Sequence, residues 1–587
     1  MRGYARKALT ASAVIAALTL TSCTSSKPST SASSRGTSSG AGQVAGTKGT
    51  GTMADCGINP NTCNSGKTKP GGTVQYAIPE NVTGWNVNAA NSANVDFEQV
   101  LAGVLPAAYN IGPDLKPFLE TDVLSSATMA STNPQTIVYQ IKSNATWNDG
   151  TPIDANDFVY AWKANSLTYC PKCGSAFTAG YNLIKSVSGS DNGKTVTVIF
   201  GSPFAEWQSL FSPLYPAHLA AQHGGMADAA GLARSYMWFD TTVPSYSGGP
   251  YDIQSVVKDT AITEVPNPKW YGAVKPTLSK LIFRVITEQG QQVLALQNNE
   301  LQAIYFSPTA DIVQAVNRIG GLDTFLGPGA SWEHLDFNEK NPLLADRQLR
   351  SAIFTAIDRQ AIIDRTIGEF VPDAKALNNH MYALSQSGYQ DNVSPTGQGA
   401  GDVAKAKSIL TAAGYTGVGT ALKNKAGNAV HIRCSYQAGS TIHQQTCEIV
   451  QSELAALGIS VAPTAVADPG GALASGDFDL FDFVWIFAPF PVSNAQAIFD
   501  RSGGVDFGGN DDPAMESLLK QASTATDPDA VRRLVNQADV DLTNDAYELP
   551  LYQKPFLIAA RANIANIRGN STLGPTYNDQ AWGIRSN

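Results

Sequence analysis

Strand-like and helix-like runs alternate along most of this chain, and this alternation constrains the fold more than any other feature. Short runs rich in β-branched and aromatic residues predict strands at residues 73–78, 136–142, 195–200, 281–286, 430–436 and 478–486. Amphipathic runs between them predict helices at residues 154–166, 346–367 and 447–457. The sequence therefore predicts an α/β protein with mixed sheets.

The ordered body, taken from about Gly71 to Asn587, is too long for one hydrophobic core. Single cores stop growing at about 250–300 residues, so the body should divide into at least two lobes. No internal repeat of about 20–50 residues stands out, which argues against a solenoid or a propeller.

The N-terminus indicates export. Arg2, Arg6 and Lys7 precede an uncharged, largely apolar stretch at residues 8–20. At the helical rise this stretch covers about 20 Å, short of the ~30 Å hydrocarbon core of a membrane. Residues 1–22 are therefore expected to be a signal peptide. Residues 20–23 resemble the bacterial lipobox, which implies a lipoprotein signal peptide over residues 1–22 and acylation of Cys23; an ordinary secretory signal that contains a cysteine is the alternative.

Composition changes sharply after Cys23. Residues 23–70 are rich in Ser, Thr, Gly and Ala, and we expect a flexible tether there. The formal net charge is −9, and it becomes about −12 once the signal peptide is removed, which argues against nucleic acid as a partner. The predicted contact with the membrane is through the lipid anchor alone.

Six cysteines remain after Cys23, an even number in an oxidising compartment. Proximity favours the pairs Cys56–Cys63, Cys170–Cys173 and Cys434–Cys447, although other pairings are open. A thioredoxin-type role for the second pair is disfavoured, because no strand-to-helix entry surrounds it. The spacings do not fit a zinc site.

One segment identifies a family. Residues 147–162 read W-N-D-G-T-P-I-D-A-N-D-F-V-Y-A-W, a turn followed by a capped amphipathic helix. This resembles the W-S-D-G-x-P-h-T-A-x-D-h-V-h-S-h signature, where h is apolar, of the large solute-binding proteins for oligopeptides, dipeptides and nickel (family 5) of ABC importers. Further similar blocks follow in the family's order, at residues 71–74, 249–251, 267–272, 346–359, 404–415, 448–459 and 548–552.

The resemblance implies a two-lobed periplasmic-binding-protein-like fold of the large class, with an extra subdomain and a hinge of two crossing strands. By block order, lobe I covers residues 71–330 plus 546–587 and lobe II covers 331–545. The implied function is to bind a peptide or peptide-like solute outside the cytoplasmic membrane and to deliver it to the permease subunits of an ABC transporter. We expect a monomer without a cofactor or a metal.

The resemblance also proposes ligand contacts, which are Trp332, Glu333, His334, Trp485, Phe487, Tyr552, Asn91 and Tyr246. In oligopeptide binders of this family an aspartate pairs with the amino terminus of the peptide, but here that position falls on Ala488. Either another acid replaces it, with Glu333 the nearest candidate, or the ligand lacks a free amine. The aromatic run 485–487 suits an apolar or sugar-like ligand face, or is simply a buried strand.

The sequence disfavours two other functions and leaves two open. No G-x-S-x-G, P-loop, zincin or dinucleotide fingerprint is present, so the chain is not expected to be an enzyme. His334 and His443 are isolated in sequence, which argues against a nickel-type site. The loss at Ala488 leaves open a glycan or lipid-derived ligand, or a family member that regulates envelope assembly without transport.

Overall fold

The computed structural model describes residues 51–501 and 503–586. The strands are β1 Thr68–Lys69, β2 Thr73–Ile78, β3 Tyr109–Ile111, β4 Pro117–Leu119, β5 Leu124–Thr132, β6 Gln135–Ile141, β7 Ile184–Ser190, β8 Thr195–Phe200, β9 Tyr251–Val257, β10 Ala261–Pro266, β11 Lys280–Val285, β12 Ala303–Phe306, β13 Leu322–Phe337, β14 His431–Gln437, β15 Ser460–Val466, β16 Leu480–Ile486, β17 Glu548–Arg561, β18 Ile564–Ala565 and β19 Gly583–Arg585.

The α-helices are α1 Val95–Leu101, α2 Ala155–Asn165, α3 Ala217–Gln222, α4 Ala229–Thr241, α5 Gln289–Gln297, α6 Ala310–Asn317, α7 Arg347–Ala356, α8 Arg359–Thr366, α9 Val403–Ala412, α10 Thr441–Ala455, α11 Pro469–Ser475, α12 Pro491–Phe499, α13 Pro513–Thr524 and α14 Pro528–Asp545. Short 3-10 helices lie at Ala54–Gly57, Tyr181–Leu183, Trp207–Ser209, Ser394–Thr396 and Pro575–Ala581. Among the helices of the described ranges, none combines the length and apolar character of a membrane span.

A mixed sheet of ten strands runs through the molecule in the order β15-β14-β16-β13-β17-β12-β2-β11-β10-β9. Its centre is the antiparallel pair β13 and β17, which runs from Leu322 opposite Arg561 to Asp336 opposite Glu548, with register shifts between Pro328 and Trp332 and between Glu333 and His334. These two strands are long enough to pass from one lobe into the other. They are the crossing strands that the sequence places near residues 327–336 and 546–552.

The hydrophobic clusters separate two lobes. The largest cluster draws on residues 53–303 and 556–582, and we call the body built on it lobe I. Two further clusters draw on residues 335–552 and 381–547, and they form lobe II. A mixed α/β, two-lobed fold is therefore confirmed, while the predicted boundaries at residues 330, 331, 545 and 546 stay predictions.

Lobe I carries a separate antiparallel sheet of four strands, in the order β5-β6-β8-β7. Helix α2 packs beside it and begins where the sequence predicts, at the cap residue Asp154. Asp154 and Asp157 form a reciprocal capping box, an arrangement that satisfies two of the amides left free at a helix start. Gly150 in the preceding turn has φ +95°, a conformation that glycine adopts without steric cost.

The predicted tether ends too late. Residues 1–50, with the signal peptide and Cys23, lie outside the described residues, but residues 51–70 are folded onto lobe I. Met53 is 1% exposed, Cys56 and Cys63 form a disulfide, and β1 pairs with β19. Composition missed this segment because its partners come from the far end of the chain.

All three predicted disulfides are confirmed. They join Cys56 to Cys63, Cys170 to Cys173 and Cys434 to Cys447, with Cα atoms 5.0, 5.4 and 5.6 Å apart. The last links strand β14 to helix α10, so it fastens a helix of lobe II to its sheet.

Candidate functional site

The two crossing strands bring most of the predicted site residues together. Antiparallel pairing of β13 with β16 sets Trp332 opposite Trp485 and Glu333 opposite Val484. Because side chains alternate between the two faces of a strand, Trp332 and His334 point to one face and Glu333 to the other. Two different clusters therefore lie on opposite faces of the same strand.

On one face, Trp332 and Phe487 belong to a buried apolar cluster that is filled by side chains of the protein; we call it the Trp332 pocket. Their rings stack with centroids 5.2 Å apart and planes 16° from parallel. Leu377 and Ala383, from the loop between α8 and the 3-10 helix at Ser394–Thr396, join the same cluster. Its fifth member, Leu115, comes from lobe I, so the pocket lies where the two lobes meet.

The same face carries an acidic group around His334. Its Nδ1 lies 2.6 Å from Asp336 Oδ1 and 3.3 Å from Glu548 Oε2. The indole N–H of Trp485 donates to Glu548 Oε2 at 3.1 Å. Burial, and then the charge of Asp336, raises the pKa of Glu548 well above its usual range, which favours a carboxyl that keeps its proton.

On the opposite face, Glu333 is fully engaged by cations. Lys554 Nζ lies 2.5 Å from Glu333 Oε1, and His443 Nε2 lies 3.1 Å from Oε2. Burial opposes ionisation of Glu333, but Lys554 and His443 outweigh it and lower its pKa. Burial raises the pKa of the neighbouring Asp482. The Glu333 carboxylate is thus compensated from within the protein.

These two groups are also where the described residues could hold a metal. Glu333, His443 and Asp482 offer ligand atoms within 4.8 Å of one another, as do His334, Asp336 and Glu548. Sequence spacing left both histidines isolated, because their carboxylate partners come from other strands. In the first group Lys554 already supplies the positive charge that a metal would supply.

Strand β16 has a free edge next to these clusters. Strand β14 pairs only with Leu480, Phe481 and Asp482, so the segment 483–486 has no strand partner on that side within the described residues. Along this segment the side chains pass from half-buried to exposed, and Ile486 is 42% exposed. The Ile486 carbonyl oxygen accepts a hydrogen bond from Asn494 Nδ2 at 3.3 Å, and the other main-chain groups of this edge have no strand partner among the described residues.

A buried carboxylate connects the two lobes directly. Glu206 of lobe I accepts hydrogen bonds from the amides of Val492 and Ser493 at 2.7 and 3.0 Å, and from the Ser493 hydroxyl. The Ala205 amide also donates to the Ser523 carbonyl oxygen at 2.8 Å. Burial raises the pKa of Glu206, although these donors favour its ionised form. The lobes are in contact across the cleft.

The structure separates two predicted site residues from the rest. Tyr246 is 3% exposed in the core of lobe I, with its ring 5.3 Å from Phe239, so its prediction as a ligand contact is not supported by its surroundings. Asn91 is exposed and donates to Asp240 Oδ2 at 2.9 Å, also in lobe I. Tyr552 lies opposite Glu333 on β17 and is buried.

Sequence reasoning missed three residues that complete the site: Leu115, Glu206 and Lys554. Lys554 lies on strand β17, two residues beyond the crossing predicted at residues 546–552, and its charge among apolar neighbours was a usable signal. Leu115 and Glu206 act across the cleft, on partners hundreds of positions away. No local pattern around either residue indicates such a contact.

Two lobes joined by paired crossing strands, with an aromatic pocket and an open strand edge between them, define a solute-binding protein of the periplasmic type. The chain belongs to the bacterial extracellular solute-binding proteins, family 5, whose middle-region model matches residues 119–507. The predicted family is therefore confirmed. Its members bind solutes outside the cytoplasm.

Three similar proteins illustrate the range of the family. The solved structure of the periplasmic EDTA-binding protein EppA is 35% identical, with a TM-score of 0.84, and covers 90% of this chain and 99% of EppA. The oligopeptide-binding protein OppA of Mycobacterium tuberculosis is 29% identical over 510 residues, 84% of this chain and 82% of OppA. The probable monoacyl phosphatidylinositol tetramannoside-binding protein LpqW of the same species is 25% identical over 341 residues, 57% of this chain and 50% of LpqW.

Proposed function

We propose that this chain is the lipid-anchored ligand receptor of an ABC importer, and that it captures peptide-like solutes that lack a free ammonium group. Cys23 would carry the anchor, and the folded body would act as a monomer that delivers its ligand to the permease subunits. The chain performs no chemistry on the solute. OppA, with 82% of its length matched, supports the peptide-like class.

The observation that carries the proposal is the free edge of β16 at residues 483–486. An extended ligand can add to such an edge through main-chain hydrogen bonds, while its side chains meet the adjoining apolar surface. Trp485 lies in this segment and is held by its hydrogen bond to Glu548. A fixed indole beside an open strand edge provides both orientation and apolar contact.

The ion pairs of Glu333 favour a ligand without a free ammonium group. An ammonium group in a closed cleft needs a carboxylate partner, and Ala488 does not provide one. Lys554 and His443 already occupy Glu333. A free-amine peptide would have to displace Lys554, whereas a blocked or naturally amine-free ligand would not.

Calorimetry with matched peptides tests the proposal. N-acetylated tri- to pentapeptides should bind the full chain at least about tenfold more tightly than their free-amine forms, whose Kd should exceed ~10 µM. N-methylation of the ligand backbone should weaken binding, because it removes the donors that pair with the edge of β16. Sub-micromolar binding that acetylation abolishes would mean that an acid of this chain takes the ammonium, and the ligand class would be wrong.

A second candidate ligand is a glycan or a lipid-derived headgroup. The name of LpqW and the stacked aromatic surface formed by Trp485 and Phe507, with ring centroids 5.9 Å apart, favour this class. The same calorimetry with a set of mannosides distinguishes it: mannoside binding that Trp485→Ala weakens, together with no response to acetylated peptides, would support the second candidate over the first.

A further inference from the structure

Leu115 enters the Trp332 pocket from the opposite lobe. It lies in the turn between β3 and β4, where the Gly112 amide donates to Lys116 O and the Leu115 amide donates to Gly112 O, both at 2.9 Å. The side chain is 4% exposed and joins the cluster of Trp332 and Phe487. One leucine of lobe I therefore closes a pocket whose other walls belong to lobe II and the crossing strand β13.

The backbone at Leu115 is unfavourable for a leucine. Its φ is +58°, in the left-handed region, which costs an L-residue roughly 1–2 kcal/mol. Glycine would occupy the same turn without this cost. Because leucine stands there instead, the side chain in the pocket offsets the strain.

The indole N–H of Trp332 is a hydrogen-bond donor inside the same pocket. The Trp332 ring is fully buried, and its indole N–H has no hydrogen-bond partner among the residues that the structure describes. A buried donor without an acceptor costs about 1–3 kcal/mol. The indoles of Trp485 and Trp147 donate to Glu548 and Asp157, whereas the buried indole of Trp162 in lobe I shares the unpartnered state of Trp332 within the described residues. Leu115 fills the pocket, but its aliphatic side chain offers no acceptor for the Trp332 N–H.

We propose that Leu115 is a built-in substitute for part of the ligand, and that the pocket is a specificity subsite for a planar apolar group that carries a hydrogen-bond acceptor. When lobe I moves away, such a group takes the place of Leu115 against Trp332 and Phe487, and its acceptor pairs with the Trp332 N–H. This inference rests on the proposed function, since it makes the pocket part of the ligand cleft.

Leu115→Ala should make the subsite measurable with a simple probe. Acetanilide has a planar ring and a carbonyl acceptor, while toluene has the ring alone. The full-length Leu115→Ala variant should bind acetanilide at least tenfold more tightly than the wild type. The Trp332 indole resonance, assigned by its loss in Trp332→Phe, should move downfield with acetanilide and stay in place with toluene.

Two variants control the experiment. Leu294→Ala removes the same atoms from a leucine that is 49% exposed in lobe I and should bind acetanilide like the wild type. Leu115→Val removes less volume and replaces Leu115→Ala if thermal unfolding shows that the latter is not folded. Leu115→Val should also bind acetanilide more tightly than the wild type and shift the Trp332 resonance, but by less than Leu115→Ala.

Equal acetanilide affinity in wild type and variant, or tighter binding without movement of the Trp332 resonance, overturns the subsite. Acetanilide does not depend on the strand edge at residues 483–486. Failure of acetylated peptides to bind therefore counts against the proposed function alone, and loss of the acetanilide response with intact peptide binding counts against the subsite alone.

Discussion

Glu206 of lobe I caps a helix of lobe II: its Oε1 accepts the Val492 amide at 2.7 Å. Helix α12 begins at Pro491 after Phe490, and no side chain of its own segment caps it. Its first amides are therefore satisfied from the other lobe, where the positive end of the helix dipole also favours a carboxylate. The hydrogen bonds that satisfy this helix terminus are therefore the same ones that join the two lobes.

We expect Glu206→Ala to shift the ligand-free protein toward an open arrangement. Loss of a helix cap typically costs about 1 kcal/mol, and here that cost falls only on the form in which the lobes touch. Single-molecule energy transfer between one dye on each lobe should show the population of the closed form reduced about fivefold. Glu300→Ala, at an exposed position of the same lobe, should leave it unchanged; an unaltered distribution in Glu206→Ala would show that other contacts hold the lobes together.

Removal of Lys554 should destabilise the fold. Lys554→Met leaves Glu333 with His443 as its remaining cationic partner in a buried position, and breaking a buried pair from one side costs about 3–5 kcal/mol. Urea unfolding should show that loss, and most of it should return in the double variant Lys554→Met, Glu333→Gln. Lys116→Met breaks an exposed pair with Asp114 and should change stability by less than about 1 kcal/mol. Equal effects of the two lysine variants would contradict the role of Lys554.

Stability should fall as pH rises, in part through Asp579. This side chain is 1% exposed, and burial raises its pKa to about 8. Below about pH 4 the carboxyl is protonated in both the folded and the unfolded chain. Between about pH 4 and 8 it keeps its proton in the folded chain but loses it in the unfolded chain, so the free energy of unfolding falls as pH rises. Asp579→Asn should reduce the slope of unfolding free energy against pH by up to about 1.4 kcal/mol per pH unit. The same change at the exposed Asp311 should leave the slope as it is, and an unchanged slope in Asp579→Asn would rule out its contribution.

Cys23→Ala should release the full chain from membranes. The prediction follows from the lipobox-like residues 20–23, since acyl groups on Cys23 would anchor the chain stably at a membrane. Fractionation of cells that produce either form measures it, with Cys434→Ala as a cysteine variant that should remain membrane-bound. Retention of Cys23→Ala in the membrane fraction would exclude Cys23 as the anchor.

Local signals in the sequence predicted individual elements well. The capped helix after Gly150 begins and ends within a residue of the prediction, and strand β2 matches it completely. The predicted helix at residues 346–367 is instead two helices, α7 and α8. Asp358 caps the second helix by accepting from the amides of Gln360 and Ala361. This capping residue is visible in the sequence, but the apolar positions continue across it and predict one helix.

The candidate site was predicted only where it lies along the chain's own strands. Trp332, His334 and Trp485 were found because block order placed them on crossing or cleft-facing strands. Charge compensation at Glu333 could not be predicted, because it depends on the register of β17, two hundred residues later. The contact of Leu115 depends on the relative position of two lobes, which no local pattern specifies.

The attachment of residues 51–69 to lobe I has a mechanical consequence. Strand β1 is held by β19 at the far end of the chain, and the Cys56–Cys63 disulfide closes the loop just before it. The 3-10 helix at Ala54–Gly57 lies against the lobe I end of β13, where Gly57 is next to the Phe325 ring. A force applied to the chain at residue 51 is therefore carried by lobe I, including that end of β13. A pull on the N-terminus is thus taken up on one side of the hinge and does not have to pass through lobe II.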